Sequence, residues 1–224
     1  MRNLVLAIFF ICVTACTPSP DIQSQSVIVL TSDGNGSGTL VTKSSSKGYT
    51  TFVITAAHLF SEPTGISVGQ SKNNLTTIFP AKLVLVLPKE DIAVLVVNNN
   101  YFKSFPKFGD TPQVGDEVYH VGSMLGWFGH NSVTRGIVSY INRNDPNETD
   151  QVSCPIFSGS SGGGVYNSDK EYVGMITQIA FDHNGQVIAH MGYMIPIRKL
   201  RTILIKHKFG FLVRNEPVPQ QLLN

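Results

Sequence analysis

The chain has 224 residues, of which 42% are hydrophobic and 14% charged, and its formal net charge is +2 at pH 7. This length allows one sizeable hydrophobic core or two small ones and excludes a long multidomain architecture. So small a charge gives no electrostatic basis for nucleic-acid binding, and no nucleic-acid partner is expected. The abundance of Gly, Ser, Thr and Asn favours β-structure with many turns over a helical bundle.

The N-terminal segment has the pattern of an export signal. One Arg precedes an unbroken apolar run from Leu4 to Val13, about half of the roughly 20 residues that a membrane-spanning helix needs. The run therefore predicts a signal peptide over residues 1–15. The letters VTAC, ending at Cys16, resemble a bacterial lipobox, so we expect a lipid on Cys16 and a tether over residues 16–25. Ordinary signal-peptidase cleavage, with this cysteine incidental, is the alternative.

The middle of the chain consists of short β-like runs. About a dozen apolar or alternating runs, among them SVIVL, TTFVITAA and IAVLVV, are separated by Gly, Asn, Asp or Pro clusters. This pattern predicts an all-β sandwich or a pair of barrels. The run YFKSFPKFGDTPQVGD has no β pattern and carries two prolines, which favours a connection between two β-halves. After Pro196, the spacing of Ile197, Leu200, Ile203 and Leu204 predicts a terminal helix that stops at Gly210.

No disulfide or metal site is expected. Cys12 lies in the predicted signal, so lipidation of Cys16 would leave Cys154 alone in the body of the chain, where we expect a structural role. The letters DGNGSG from Asp33 begin like a calcium loop, but the twelfth position is Ser44 instead of Glu. We interpret its glycines as a hairpin turn and expect neither a metal nor another cofactor.

The Gly/Ser-rich segment CPIFSGSSGGGVYN is the first candidate for chemistry. Gly159, Ser161 and Gly163 satisfy G-x-S-x-G, the nucleophile turn of α/β-hydrolases, and also G-x-S-G-G, the nucleophile loop of trypsin-like enzymes. A flexible turn without chemistry is the third reading. The α/β-hydrolase fold needs its acid and histidine after the serine, yet only 63 residues follow Ser161. The sequence therefore disfavours that fold.

Two upstream segments complete the pattern of a nucleophilic site. VITAAHLF ends one β-run with His58, and KEDIAVLVV opens another with Asp91. A serine hydroxyl is a weak nucleophile near neutral pH and needs an adjacent base, which histidine supplies. A carboxylate on the second ring nitrogen fixes the tautomer and stabilises the imidazolium as it forms. These roles suit His58, Asp91 and Ser161, although each residue alone also has an ordinary structural explanation.

Three short segments now stand in order: TAAH ending at His58, DIAVL from Asp91 and GSSGG from Gly159. In these segments the chain resembles the trypsin-like (chymotrypsin-fold) serine proteases, and among them the HtrA/DegP-type bacterial enzymes. The similarity covers roughly residues 30–200. It implies an all-β fold of two six-stranded antiparallel barrels that meet at a cleft, followed by a short C-terminal helix. The implied bounds are 26–209 for the protease domain, about 26–105 and 113–197 for the barrels, about 197–208 for the helix and 210–224 for a tail.

The resemblance also implies roles for site residues. The backbone N–H groups of Gly159 and Ser161 would form the oxyanion hole. The substrate pocket would include Pro155 and Ile156 as a wall, with Thr177 and Gln178 on the run that pairs with an extended substrate. No acidic residue stands at the pocket base, so we expect a small or medium apolar preference.

Ser160 departs from the family pattern. Digestive trypsin-like enzymes carry Asp at this place and many HtrA-like enzymes carry Asn, so activation through a zymogen ion pair is not expected. The segment after the predicted helix is also too short for the PDZ domain of full HtrA proteins, and oligomeric quality-control behaviour is not expected.

The sequence thus predicts an exported serine endopeptidase that cleaves protein or peptide substrates through an acyl-enzyme. We expect it at the bacterial cell envelope, on the periplasmic or outer-surface side, held to the membrane through Cys16; without the lipid it would be periplasmic or secreted. The alternative is a protease-fold binding or chaperone-like surface lipoprotein with little or no catalysis.

Overall fold

The structure of the chain is a computed structural model that describes residues 21–46, 48–62, 64–72, 75–97, 101–144, 148–214 and 216–222. The predicted signal peptide and Cys16 lie outside the described residues, as does the first half of the predicted tether. Among the helices in the described part of the chain, none is long and apolar enough to cross a membrane.

Six antiparallel strands close the first barrel, in the order β1-β2-β3-β6-β5-β4. Their bounds are β1 (Ser26–Thr31), β2 (Gly34–Ser45), β3 (Gly48–Thr55), β4 (Ser67–Lys72), β5 (Leu75–Leu87) and β6 (Ile92–Val97). Side chains on a strand alternate between its two faces, and β3 uses both faces. Val53 points into the barrel core, whereas Phe52 and Ile54 pack in the cluster outside it.

Six further antiparallel strands close the second barrel, in the order β10-β11-β12-β9-β8-β7. Their bounds are β7 (Glu117–Met124), β8 (Gly129–Tyr140), β9 (Asp150–Val152), β10 (Gly164–Asn167), β11 (Tyr172–Phe181) and β12 (Val187–Pro196). Val118, Val138, Ile176 and Met194 are among the side chains of its core. The predicted fold, two six-stranded barrels and a terminal helix, is confirmed.

The terminal helix α1 (Ile197–Lys206) buries the predicted apolar face, made of Ile197, Leu200, Ile203 and Leu204. It ends two residues before the expected position, and Gly210 is not its stop. Lys208 takes the left-handed conformation at φ 67° instead, with hydrogen bonds from Lys208 N–H to Ile205 O and from Phe209 N–H to Leu204 O. This is a Schellman cap formed without glycine.

The segment after α1 packs on the first barrel. Phe211 lies edge-on to Phe52 of β3, and Leu212 and Val213 are buried in the same cluster. Farther along, the Val218 N–H donates to the carbonyl oxygen of Ser44 in β2 at 2.9 Å. The cluster that these residues share with α1 joins the two barrels behind the cleft.

Candidate active site

His58 and Asp91 are brought together by the pairing of β3 with β6. These strands are antiparallel neighbours with Thr55 opposite Ala93, so the turn that follows β3 lies beside the turn that precedes β6. His58 lies in the first of these turns and Asp91 in the second. The His58 ring nitrogen Nδ1 is 2.9 Å from Asp91 Oδ2 and 3.0 Å from Oδ1, and the His58 backbone N–H donates to Oδ1 at 2.9 Å.

These contacts set the protonation of the pair. The hydrogen bond with Asp91 raises the pKa of His58 above its ordinary value, against the opposing effect of partial burial. Partial burial by itself would raise the pKa of Asp91, but hydrogen bonds from His58 and Thr177 outweigh it and hold that pKa below its usual range. Because a carboxylate only accepts hydrogen bonds, neutral His58 carries its proton on Nδ1. The free Nε2 is then a base.

Thr177 contacts both sides of the cleft. Its hydroxyl donates to Asp91 Oδ2, and its carbonyl oxygen lies 3.5 Å from the Ser161 hydroxyl. The sequence suggested Thr177 only as a pocket residue. Its bond to the Asp91 carboxylate joins residues that are 86 positions apart, and no local sequence signal predicts it.

Ser161 follows a tight turn between β9 and β10. The Ser160 N–H donates to the Phe157 carbonyl at 3.0 Å, and Gly159 has φ +90°, the geometry of a type II turn with glycine in its third place. Within the described residues, the N–H groups of Gly159 and Ser161 donate to no acceptor, so both are free for a ligand. No hydrogen bond joins the Ser161 hydroxyl to the His58 ring in that same part of the chain.

The first barrel holds the Ser161 loop through Ser37 of β2. The Ser37 N–H donates to the Ser161 carbonyl at 2.8 Å, and its hydroxyl donates to the Gly159 carbonyl at 2.6 Å. Gly162 packs against the same place: a Cβ there would lie 2.1 Å from the Ser37 carbonyl oxygen and 2.3 Å from Thr55 Oγ1, at φ +85°. Only glycine fits at this junction.

Sequence reasoning missed the role of Ser37. The expected hairpin turn was placed too late in the chain, because Gly34, Gly36 and Gly38 belong to β2 and the turn precedes them. The close glycine spacing has a packing cause: a Cβ at Gly36 would overlap the Leu59 side chain, and one at Gly38 would overlap Val53.

A cleft of about 590 Å³ runs between the barrels at these residues. Its lining includes His58, Asp91 and Ser161, together with the predicted substrate-contact residues Thr177 and Gln178. The other two predicted pocket residues lie elsewhere. Ile156 is buried against Gly192, and the Pro155 carbonyl accepts a hydrogen bond from Thr134. Their part in a specificity pocket stays a prediction.

Two further candidates for chemistry were Cys154 and a metal site. Cys154 is buried in the second barrel, and burial raises the pKa of its thiol to about 11, which leaves it protonated and unreactive at neutral pH. No group of three or more His, Cys, Asp or Glu that could hold a metal ion occurs among the residues that the structure describes.

Comparison with known proteins places this chain among peptidases. A family model described as a trypsin-like peptidase domain matches residues 36–175. The chain is 37% identical over 170 residues to a DegP-like periplasmic serine endoprotease of Pseudomonas putida, covering 72% of this chain and 32% of the relative. It is 30% identical over 178 residues to the serine protease Do-like HtrA of Lactobacillus helveticus, covering 75% and 42%. The resemblance predicted from the three motifs is confirmed.

The fold is shared with solved structures as well. The crystal structure of the serine endoprotease from Yersinia pestis matches with a TM-score of 0.64 at 24% identity, covering 84% of this chain and 63% of that one. The chain spans 32% and 42% of the lengths of the two curated relatives named above.

Proposed function

Because the chain belongs to the trypsin-like peptidase domain family, we propose that it is a serine endopeptidase that hydrolyses peptide bonds through an acyl-enzyme. The observation that supports this most is the pairing of His58 with Asp91, which leaves Nε2 as a free base on the cleft that Ser161 also lines. Two unpaired N–H groups, at Gly159 and Ser161, stand on the same loop as the nucleophile.

In the first step, the Ser161 hydroxyl turns from the Thr177 carbonyl towards His58 and transfers its proton to Nε2. Its oxygen attacks the scissile carbonyl carbon, and the negative charge moves to the carbonyl oxygen. The N–H groups of Gly159 and Ser161 stabilise that oxyanion, while the carboxylate of Asp91 stabilises the imidazolium.

Collapse of the tetrahedral intermediate breaks the C–N bond, and His58 gives its proton to the leaving amine. An acyl group then remains on Ser161 Oγ. A water molecule repeats the sequence: it loses a proton to His58, attacks the acyl carbon, and releases the carboxylic product as the proton returns to Ser161. Each proton that His58 takes up is therefore given back, and Ser161 is regenerated, so the reaction needs no cofactor.

One observation favours a second candidate, a protease-fold binding protein with little catalysis. The Ser161 hydroxyl is directed at the Thr177 carbonyl oxygen, 3.5 Å away, and not at His58. In an enzyme this contact needs only a rotation about one side-chain bond, since catalytic hydrogen bonds often tighten when substrate binds. In a binding protein the hydroxyl would stay unactivated.

A fluorophosphonate probe separates the two candidates. We expect the purified wild-type protein to be labelled at Ser161, because the probe needs an activated serine and an oxyanion hole. The Ser161→Ala variant should be unlabelled, and Ser168→Ala, on the exposed turn that follows β10, serves as the matched control that keeps the label. Folded wild-type protein that takes no label would favour the binding protein.

We further propose that the chain is exported and anchored in the bacterial cell envelope by a lipid on Cys16, with protein or peptide substrates outside the cytoplasm. The apolar N-terminal run and the VTAC letters support this, as does the periplasmic location in the name of the Pseudomonas putida relative. Mass spectrometry of the membrane fraction should find diacylglycerol on an N-terminal Cys16, and Cys16→Ser should shift the protein out of that fraction. A mature N-terminus without diacylglycerol would refute the anchor.

A further inference from the structure

A second hydrogen-bond network lies behind the Ser161 loop, and it begins at the tip of the hairpin formed by β7 and β8. We propose that His130 and Trp127 act there as positioning residues: they fasten the hairpin tip, residues 125–130, to strand β4 and thereby hold the oxyanion turn, residues 157–160, in its productive orientation. This inference rests on the proposed function, because an oxyanion turn has a role only if Ser161 attacks a carbonyl group.

The two oxyanion N–H groups belong to peptides whose carbonyls are held from behind. The Ser158 carbonyl accepts a hydrogen bond from the Leu125 N–H at 2.8 Å, and the Ser160 carbonyl accepts one from the Gly163 N–H at 2.9 Å. In a planar trans peptide, C=O and N–H point in opposite directions. Fixing the Ser158 carbonyl on Leu125 therefore aims the Gly159 N–H away from the hairpin tip.

Leu125 depends on its surroundings for this position. Leu125 and Gly126 both have a left-handed backbone, at φ 55° and φ 71°, and the Leu125 side chain is largely exposed. A leucine in this conformation persists only when neighbouring contacts hold it. Beyond Gly126 the hairpin tip carries Trp127 and His130, whose ring centres are 5.1 Å apart and which both contact strand β4.

The Trp127 ring packs against strand β4 of the first barrel. Its ring covers Gly69 so closely that a Cβ at Gly69 would be 2.7 Å from the ring edge. Strand β4 pairs with β1 only from Ser67 to Gly69, so the Ser71 N–H is left for another acceptor. His130 provides that acceptor: the Ser71 N–H donates to His130 Nε2 at 2.9 Å.

The protonation of His130 follows from this contact. Nε2 accepts a hydrogen bond and carries no proton, so the neutral ring bears its proton on Nδ1 and donates it to the Ser123 hydroxyl at 2.9 Å. Burial lowers the pKa of His130, which favours this neutral form. The ring therefore uses both nitrogens, one towards each barrel.

From Ser123 the network continues to the oxyanion turn. The Ser123 N–H donates to the Ser37 hydroxyl at 2.7 Å, and that hydroxyl donates to the Gly159 carbonyl at 2.6 Å. Two hydrogen-bond routes therefore connect the hairpin to the oxyanion turn, one through Leu125 and one through Ser123. If the His130 contacts were lost, neither Leu125 nor Ser123 would be held to strand β4 through this ring.

The test is a kinetic comparison of His130→Phe, which keeps a ring and removes both hydrogen bonds, with His130→Gln, whose amide can restore one. Because the oxyanion contacts stabilise only the transition state, we expect His130→Phe to lower kcat about ten- to a hundredfold with KM changed less than about twofold. His130→Gln should lie between it and wild type. The matched control is His207→Phe, at the C-terminal end of α1 and away from the hairpin.

Trp127 gives a readout that does not need catalysis, since it is the single tryptophan of the chain. In His130→Phe its emission should move to longer wavelength, with stronger acrylamide quenching, as the ring leaves Gly69. Gly69→Ala, which crowds the ring from the other barrel, should cause the same shift and the same loss of kcat, and it keeps the test open if His130→Phe does not fold.

The outcomes are distinguishable. Active wild type with His130→Phe and Gly69→Ala equal to it in kcat overturns the positioning role, as does a change confined to KM. Wild type that neither hydrolyses peptides nor takes the fluorophosphonate probe indicates instead that the proposed function has failed. An unchanged Trp127 spectrum in both variants shows that the ring is not fastened by these contacts.

Discussion

Replacing His58 by alanine is expected to lower kcat for peptide hydrolysis by roughly 10⁴- to 10⁶-fold. Without the imidazole, no base takes the Ser161 proton and no acid protonates the leaving amine. The fold should survive, because the His58 side chain is 47% exposed and, within the described ranges, its ring hydrogen-bonds only with Asp91. Single-turnover hydrolysis of a peptide and circular dichroism measure the two effects separately.

The control for this variant is His207→Ala, which removes a histidine from the end of α1, far from the cleft. Its kcat should equal that of wild type. Retained hydrolysis in His58→Ala would remove His58 from the mechanism, and an unfolded variant would mean that the His58–Asp91 contact supports the fold more than its exposure indicates.

The sequence was informative about the proposed catalytic residues because His58 and Asp91 lie beside the ends of β-runs. His58 closes one run and Asp91 opens another, and such positions lie at the rim of a barrel, where a cleft can form. Apolar and alternating runs indicated the strands themselves. Phe52, Val53 and Ile54 form an unbroken apolar run because β3 is buried on both faces, towards its barrel and towards the other barrel.

The contacts that support the site were beyond sequence reasoning because they join distant strands. Ser71 and His130 are 59 positions apart, and Ser37 and Gly159 are 122 apart. Which strands become neighbours depends on how both barrels close, and β3 pairs with β6 and not with its successor. A local pattern contains no information about such pairings.

The end of α1 shows a different limit. Glycine is the usual residue in a Schellman cap, and Gly210 was therefore the natural choice for the stop. In the structure Lys208 takes the left-handed position of the cap, because the chain must turn back for Phe209 and Phe211 to reach the cluster that joins the two barrels. Burial of these rings outweighs the modest cost of a lysine in the left-handed region. Tertiary packing, and not local preference, fixed this boundary.

Asp91→Asn is expected to lower kcat about 10⁴-fold. The Asp91 carboxylate accepts hydrogen bonds from the His58 backbone N–H, from Nδ1–H of the His58 ring and from the Thr177 hydroxyl. An asparagine has one oxygen for these donors, and its NH₂ group would face the ring. His58 Nδ1 would then become an acceptor and Nε2 would carry the proton, so the nitrogen facing the cleft could no longer act as a base.

The pH profile of Asp91→Asn gives a second, independent measurement. Asp91 raises the pKa of His58, and activity requires neutral His58, so wild-type kcat/KM should rise with pH through a midpoint above 6.5. Without the carboxylate that pKa falls, and the midpoint should move to lower pH while the plateau drops. Asp110→Asn, an exposed carboxylate beside Arg201, should change neither. A lower plateau with an unmoved midpoint would mean that Asp91 orients the ring without raising its pKa, whereas an unchanged plateau would exclude Asp91 from the triad.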